Sequence, residues 1–295
     1  MSARIVATGV SQRDSDIGSI DHAVRAGRAC IDSSGIAVDD IDLLINLGVY
    51  RDRNLVEPSG ASLIERQLGM NLHPGAAPIA KTTFSFDLVN GSVGFLNAVQ
   101  LVSGLMTAGV VKNALLVSSE AHPSKQRLSA SPLSHVGAAV LLARAEDGHG
   151  FGTFQFKTSP DEKIGVFGDV DAKPGSARHL ATIEDRSGDA YFRCLEDFVV
   201  DNLVAYLASS QLDPAQVTLV ISEPKPEFAA AVGEAAGIPA DSIVNSFDYW
   251  GDTLSSALLI GANQLGLSSD RPATKPVLFV ASGAGMTAGL ALYKG

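Results

Sequence analysis

The stretch FSFDLVNGSVGFLNAVQ, Phe84 to Gln100, places a hydroxyl where chemistry is possible. It reads as a strand running into a buried helix, with Ser92 at the turn. A serine there can act as a nucleophile if a neighbouring base takes its proton. It can equally be a helix cap, its oxygen accepting a helix N–H. His122 in SSEAHPSKQ and His135 in SPLSHVGAAV are the histidines nearest the motifs, and either could serve as that base or hold only a structural place. Cys30 and Cys194 both fall at helix positions, where a buried, inert thiol is expected. The two cysteines form no CxxC motif and no Cys/His cluster, so neither a disulfide framework nor a metal site is expected. The glycines of ASGAGMTAG precede no Gly-Lys-Ser/Thr, so a tight turn is expected there rather than a phosphate cradle.

The elements that must position these residues occur twice. GIAVDDIDLLINLG (Gly35–Gly48) is echoed by LDPAQVTLVISE (Leu212–Glu223), each a helix exit, an acidic turn and an apolar strand. FDLVNGSVGFLNAVQL is echoed by FDYWGDTLSSALLIGANQL, each Phe-Asp, a polar glycine turn and an apolar helix. VKNALLVSSEA matches TKPVLFVASGA, and VGAAVLLARA matches TAGLALYKG. The runs LLINL, ALLVSS, LVIS and VLFVAS are unbroken rather than alternating, as suits strands buried on both faces. A duplicated α/β protein follows, with halves at 1–150 and 185–295. The Gly/Pro/Asp-rich segment 151–184 between them has no clear period and reads as a connecting or capping excursion.

Composition narrows the function classes. A chain of 295 residues with 46% apolar and 18% charged residues is expected to be globular and cytoplasmic. No window reaches the roughly 18 consecutive apolar residues of a membrane span. The opening MSARIVATGV lacks the basic-then-apolar pattern of a secretory signal. A net charge of -10 argues against nucleic-acid and anionic-membrane partners.

The duplicated order of motifs resembles the thiolase superfamily, and within it the type III β-ketoacyl-acyl-carrier-protein synthases. FDLVNGSVGF, HVGAAVL, YWGDTLSSA and ASGAGMTAGLAL carry the resemblance. It implies a thiolase-like fold of two βαβαβαββ halves in a five-layered α-β-α-β-α body. It also implies acyl-CoA or acyl-carrier-protein substrates, so that coenzyme A or phosphopantetheine arrives as a thioester and no cofactor is required. A homodimer, or a heterodimer with a related chain, is implied as well, with ALLVSSE near the two-fold. In the family a cysteine takes the acyl group, while a histidine and an asparagine assist. Here Ser92, Glu223 and Asp252 stand at those three positions. Gly283 and Gly285 belong to a loop that borders the family's active site and helps form its oxyanion hole. Trp250 is a candidate pocket wall or a core residue. Arg51, Arg53, Lys125 and Arg127 are weak candidates for a local carrier-protein patch.

The substitutions change the chemistry expected. Serine lacks the ready ionisation of a thiol at a helix N-terminus. Glu223 could act as its base if desolvation, or crowding by Asp252, raised its pKa. Decarboxylative condensation develops negative charge on a thioester oxygen and needs donors there, so two carboxylates suit it poorly. The expectation is an unconventional acyltransferase of fatty-acid-like or secondary-metabolite biosynthesis. The alternatives are a catalytically silent subunit paired with an active chain and, as a minor third, a thioester hydrolase.

Overall fold

The computed structural model describes residues 2–55, 57–72, 81–123, 133–145, 148–159, 166–171, 180–185, 188–283 and 285–295. The first half runs β1 (Ala3–Ser11), α1 (Ser19–Ser34), β2 (Leu43–Asn46), α2 (Gly60–Leu68), β3 (Phe84–Asp87), α3 (Gly94–Thr107), β4 (Asn113–Glu120) and β5 (Val136–Arg144). Then come β6 (Gly150–Thr158), β7 (Val166–Asp171) and β8 (Leu180–Asp185). The chain ends with α4 (Asp189–Ser209), β9 (Thr218–Ile221), α5 (Phe228–Ala235), β10 (Ile243–Val244), α6 (Phe247–Trp250), α7 (Ala257–Gln264), β11 (Val277–Gly283) and β12 (Thr287–Lys294).

Two five-stranded sheets carry the duplication. Their orders are β1-β5-β4-β2-β3 and β10-β9-β11-β12-β6, the same order with β6 as the counterpart of β1. Strand β6 falls in the segment read from sequence as a connecting excursion. It pairs antiparallel with β12 at the edge of the second sheet. β7 and β8 form a separate two-stranded unit between β6 and α4.

The unbroken apolar runs face two cores at once. In β4, Ala114 and Leu116 face the central core, whereas Leu115 and Val117 face the outer core with Ala26, Cys30 and Leu68. In β11, Phe279 and Ala281 face the centre, and Leu278 and Val280 pack with Leu195, Val199 and Leu203 of α4. The central layer is α3 and α7, through Phe95, Leu96, Val99, Leu258 and Leu259. The layers are therefore α1/α2, sheet, α3/α7, sheet, α4/α5, as expected. Apolar burial on both faces of each sheet drives this stacking, at roughly 1.5–3 kcal/mol per large side chain.

The stretch expected near a two-fold, ALLVSSE, is interior: β4 lies between β5 and β2 and is buried from Ala114 to Glu120. Among the described residues β3 is one of the two edge strands of that sheet, with Phe84 65% exposed and its ring centroid 5.2 Å from that of Phe86.

Candidate active site

The end of β3 is fixed by a buried carboxylate. Asp87 accepts hydrogen bonds from the amides of Gly60 (3.0 Å) and Ala61 (2.7 Å), from Asn46 Nδ2 (3.1 Å) and from Arg51 Nη2 (2.9 Å). The chain then turns at Gly91, whose φ of 50° lies in the left-handed region that glycine adopts readily. A 3-10 turn, Gly91–Val93, leads into α3. Ser92 sits in this turn, 4% exposed. It is not the cap of either element: the N-cap positions are Asn90 and Val93, and neither makes a side-chain cap bond.

Ser92 opens on a cavity of about 460 Å³ built by both halves. The walls include Tyr50 after β2, Tyr191 and Phe192 of α4, Glu223 and Lys225 after β9, Asp252, and Gly283 at the end of β11. The three residues marked by sequence as catalytic, and Gly283, therefore share one cavity. Most of these groups follow the carboxyl ends of sheet strands, where α/β folds place their ligands.

Glu223 is anchored by one oxygen. Oε1 accepts from the Ser246 amide (2.6 Å), the Ser246 hydroxyl (2.8 Å) and the Phe247 amide (3.2 Å), holding the start of α6. Burial raises its pKa, and these hydrogen bonds reduce the rise. The carboxylate that crowds it is Asp248, not Asp252 as expected. Asp252 instead presses on Glu120 and Tyr50.

Asp252 Oδ1 accepts from the Leu254 amide at 2.9 Å, and its carbonyl accepts from the Ser134 amide at 2.8 Å. A 3-10 turn, Leu254–Ser256, follows and starts α7. This turn touches the 3-10 turn of Ser92, so the starts of α3 and α7 meet at the cavity.

The remaining candidates separate. Gly283 and Gly289 pack against the neighbour of Ser92: a Cβ at either would come within 3.3 and 3.1 Å of Val93 methyls. Gly285 lies in the β11–β12 turn and is not among the cavity's lining residues. Trp250 is a core residue, 5% exposed in the central cluster and edge-on to Tyr249 at 4.8 Å; it does not line the cavity. His122 and His135 line a different cavity, of about 730 Å³, with Asp16 and Asp52. The His122 amide donates to His135 Nε2 at 3.2 Å. Neither histidine is placed to serve Ser92. Arg51 is paired to Asp87, Arg53 sits in the short 3-10 turn Asp52–Asn54, and Lys125 and Arg127 lie outside the described residues.

Sequence reasoning missed Tyr50 and Lys225. Burial, with the charges of Glu120 and Asp252, pushes the Tyr50 phenol up to about 12, so it remains a hydrogen-bond donor at neutral pH. Lys225 lies over the Phe192 ring at 5.7 Å and pairs with Glu196 at 3.3 Å. The available signal was position: both follow the C-terminal end of an apolar strand.

Comparison with known proteins agrees with this architecture. The family described as 3-oxoacyl-[acyl-carrier-protein (ACP)] synthase III matches residues 86–160. The chain is 22% identical to the β-ketoacyl-[acyl-carrier-protein] synthase III of Clostridium perfringens strain SM101, over 97% of this chain and 88% of that protein. Its fold is similar to the synthase III (FabH) of Thermus thermophilus, with a TM-score of 0.79, 18% identity and 99% coverage of both chains. A structure of Xanthomonas campestris OleA with bound lauric acid and lauroyl-CoA gives a TM-score of 0.79 at 18% identity, covering 100% of this chain and 99% of that one. No helix among the described residues is long and apolar enough to cross a membrane. With both sheets in the same order and helices in three layers, the chain has the fold of the synthase III structures, and its residues 86–160 match the synthase III family model.

Proposed function

We propose that this protein binds an acyl thioester of coenzyme A or a carrier protein in the Ser92 cavity and transfers the acyl group without decarboxylative condensation. The observation that carries the reading is Ser92 itself: a hydroxyl used as no cap, at a helix start, opening on a cavity with two carboxylates. The bound lauroyl-CoA of the OleA structure supports the substrate class.

In the proposed reaction Ser92 Oγ attacks the thioester carbonyl carbon. Its proton passes to the carboxylate of Glu223, whose Oε2 takes no part in holding Ser246 and Phe247. Burial makes Glu223 a stronger base than a solvated carboxylate. The developing oxyanion is met by amides at the helix starts and by donors such as the Tyr50 hydroxyl. The C–S bond then breaks, the departing thiolate takes the proton, and an acyl-serine remains for transfer to an acceptor hydroxyl or amine. Asp252 orients the groups beside Tyr50.

A second reading rests on a different observation: all three described bonds of Glu223 hold α6, which suits a scaffold as well as a base. A silent subunit would shape the site of a partner chain instead. The position of β3 as an edge strand among the described residues suits pairing with a second chain, as a homodimer or heterodimer, and molar mass by light scattering tests that pairing. Intact-protein mass after incubation with a panel of acyl-CoA thioesters decides between the readings. An acyl adduct on the wild type that is absent from Ser92→Ala supports the acyltransferase. No adduct alone, but altered turnover of a Cys/His/Asn-bearing relative on mixing, supports the silent subunit.

A further inference from the structure

Glu120, the last residue of β4, is a buried ionisable group that the proposed reaction does not use. It is 0% exposed. Its Oε1 accepts from the Ser255 hydroxyl and, at 3.4 Å, from the Ser255 amide. Its Oε2 is buried and makes no hydrogen bond of ordinary geometry, the Val49 backbone being the further group that favours its charged form. The Ser255 and Ser118 hydroxyls lie 2.6 Å apart, and Ser256 donates to Ser118 Oγ at 3.0 Å. Glu120 and Ser118 belong to the first half. Ser255 and Ser256 belong to the turn that follows Asp252 in the second. A buried polar seam thus ties the end of β4 to the turn that presents Asp252.

A charged carboxylate with one oxygen lacking an ordinary hydrogen bond fits such a seam badly, whereas a neutral acid fits it. The titratable groups around Glu120 are Tyr50 on the β2 side, Asp252 across the seam, His122 two residues on, and His135 beside Val136, its pairing partner on β5. Tyr50 stays neutral, and Asp252 repels a second negative charge.

We propose that Glu120 is a positioning residue: held as a neutral acid, it fixes the turn that carries Asp252, and its ionisation loosens that turn. Burial, with Asp252 adding, pushes its carboxyl up to about 8, against the opposing pull of the Ser255 hydrogen bonds and the Val49 backbone. The catalytic consequence rests on the acyl-transfer reading; the protonation itself does not.

The test compares the wild type with Glu120→Gln across pH. Infrared spectroscopy of the wild type is expected to show a protonated carboxylic-acid stretch at pH 6 that vanishes as pH passes about 8, and Glu120→Gln is expected to lack that band. Amide exchange at residues 253–256, corrected for its intrinsic pH dependence, should accelerate above pH 8 in the wild type and not in the variant. Ser92 acylation by an acyl-CoA should fall about tenfold per pH unit above 8 only in the wild type. A titrating band with pH-dependent exchange but no acylation at any pH would uphold the Glu120 device and sink the acyl-transfer reading. Absence of the band at pH 6, or matching exchange profiles in the two proteins, would overturn the proposal. Should Glu120→Gln fail to fold, Ser255→Ala serves: losing a bond that favours the ionised form should move the band's disappearance to higher pH, and an unmoved band overturns the proposal.

Discussion

Glu223→Gln and Glu223→Ala together separate the two duties that the geometry lays on one carboxylate. Its Oε1 accepts three hydrogen bonds at the start of α6, two from backbone amides and one from the Ser246 hydroxyl. Alanine removes all three. Loss of a cap costs about 1 kcal/mol, and a buried amide left without an acceptor costs about 1–3 kcal/mol. The Ser246 hydroxyl can turn elsewhere, so about 2–4 kcal/mol is expected, or roughly 4–16 °C in Tm at about 2–4 °C per kcal/mol. Glutamine keeps a carbonyl oxygen for the same donors and should lose only about 1 kcal/mol. If Glu223 takes the proton of Ser92, glutamine should nevertheless slow acylation by about 10²–10⁴. The pH dependence has a definite sign. Burial raises the folded pKa above 4.5, so the folded state holds its proton more tightly than the unfolded chain. The contribution of Glu223 to stability should therefore fall as pH rises from about 4.5 towards the raised value and level off beyond it. That contribution should be missing from Glu223→Gln. Thermal melts and intact-mass kinetics on the three proteins read both duties. An unchanged acylation rate in the glutamine variant would refute the base, and an unchanged melt in the alanine variant would refute the cap.

Gly289→Ala places a methyl 3.1 Å from a Val93 methyl and 3.2 Å from the Phe156 ring. Overpacking of about 1–3 kcal/mol is expected in thermal unfolding, together with slower acylation, because Val93 adjoins Ser92. Cys30 is 0% exposed and burial pushes its thiol up to about 12. It should resist alkylation at pH 8 until the protein unfolds, as mass spectrometry of the labelled cysteine would reveal.

The fold was legible because its strands carry a strong local signal. Leu115 and Leu116 are adjacent in sequence yet lie in different cores, so the run ALLV has to be apolar throughout. Strand β6 lacked that signal: it is a half-exposed edge, and Phe151 pairs with Tyr293, far along the chain. Ser92 could be found because a glycine turn before an apolar helix is a local pattern. Trp250 could not be placed, since only Gly251 separates it from Asp252 in sequence while α6 turns its ring into the core. The histidines misled for a similar reason. His122 and His135 flank strands that end near the site, but they look into the second cavity. Tyr50 belongs to no motif, and only the packing of the two halves shows that it faces Ser92's cavity.

The meeting of α3 and α7 at the cavity means that the site lies near the approximate dyad relating the duplicated halves. Each helix start carries the equivalent of about half a positive charge from its aligned peptides. Two of them supply a main-chain field that no side-chain replacement can delete. Anion attraction is in this sense a property of the duplication, whereas nucleophile and base are interchangeable fittings on it. A chain built this way can change the side chains around the cavity and still offer an electropositive focus to an anionic group.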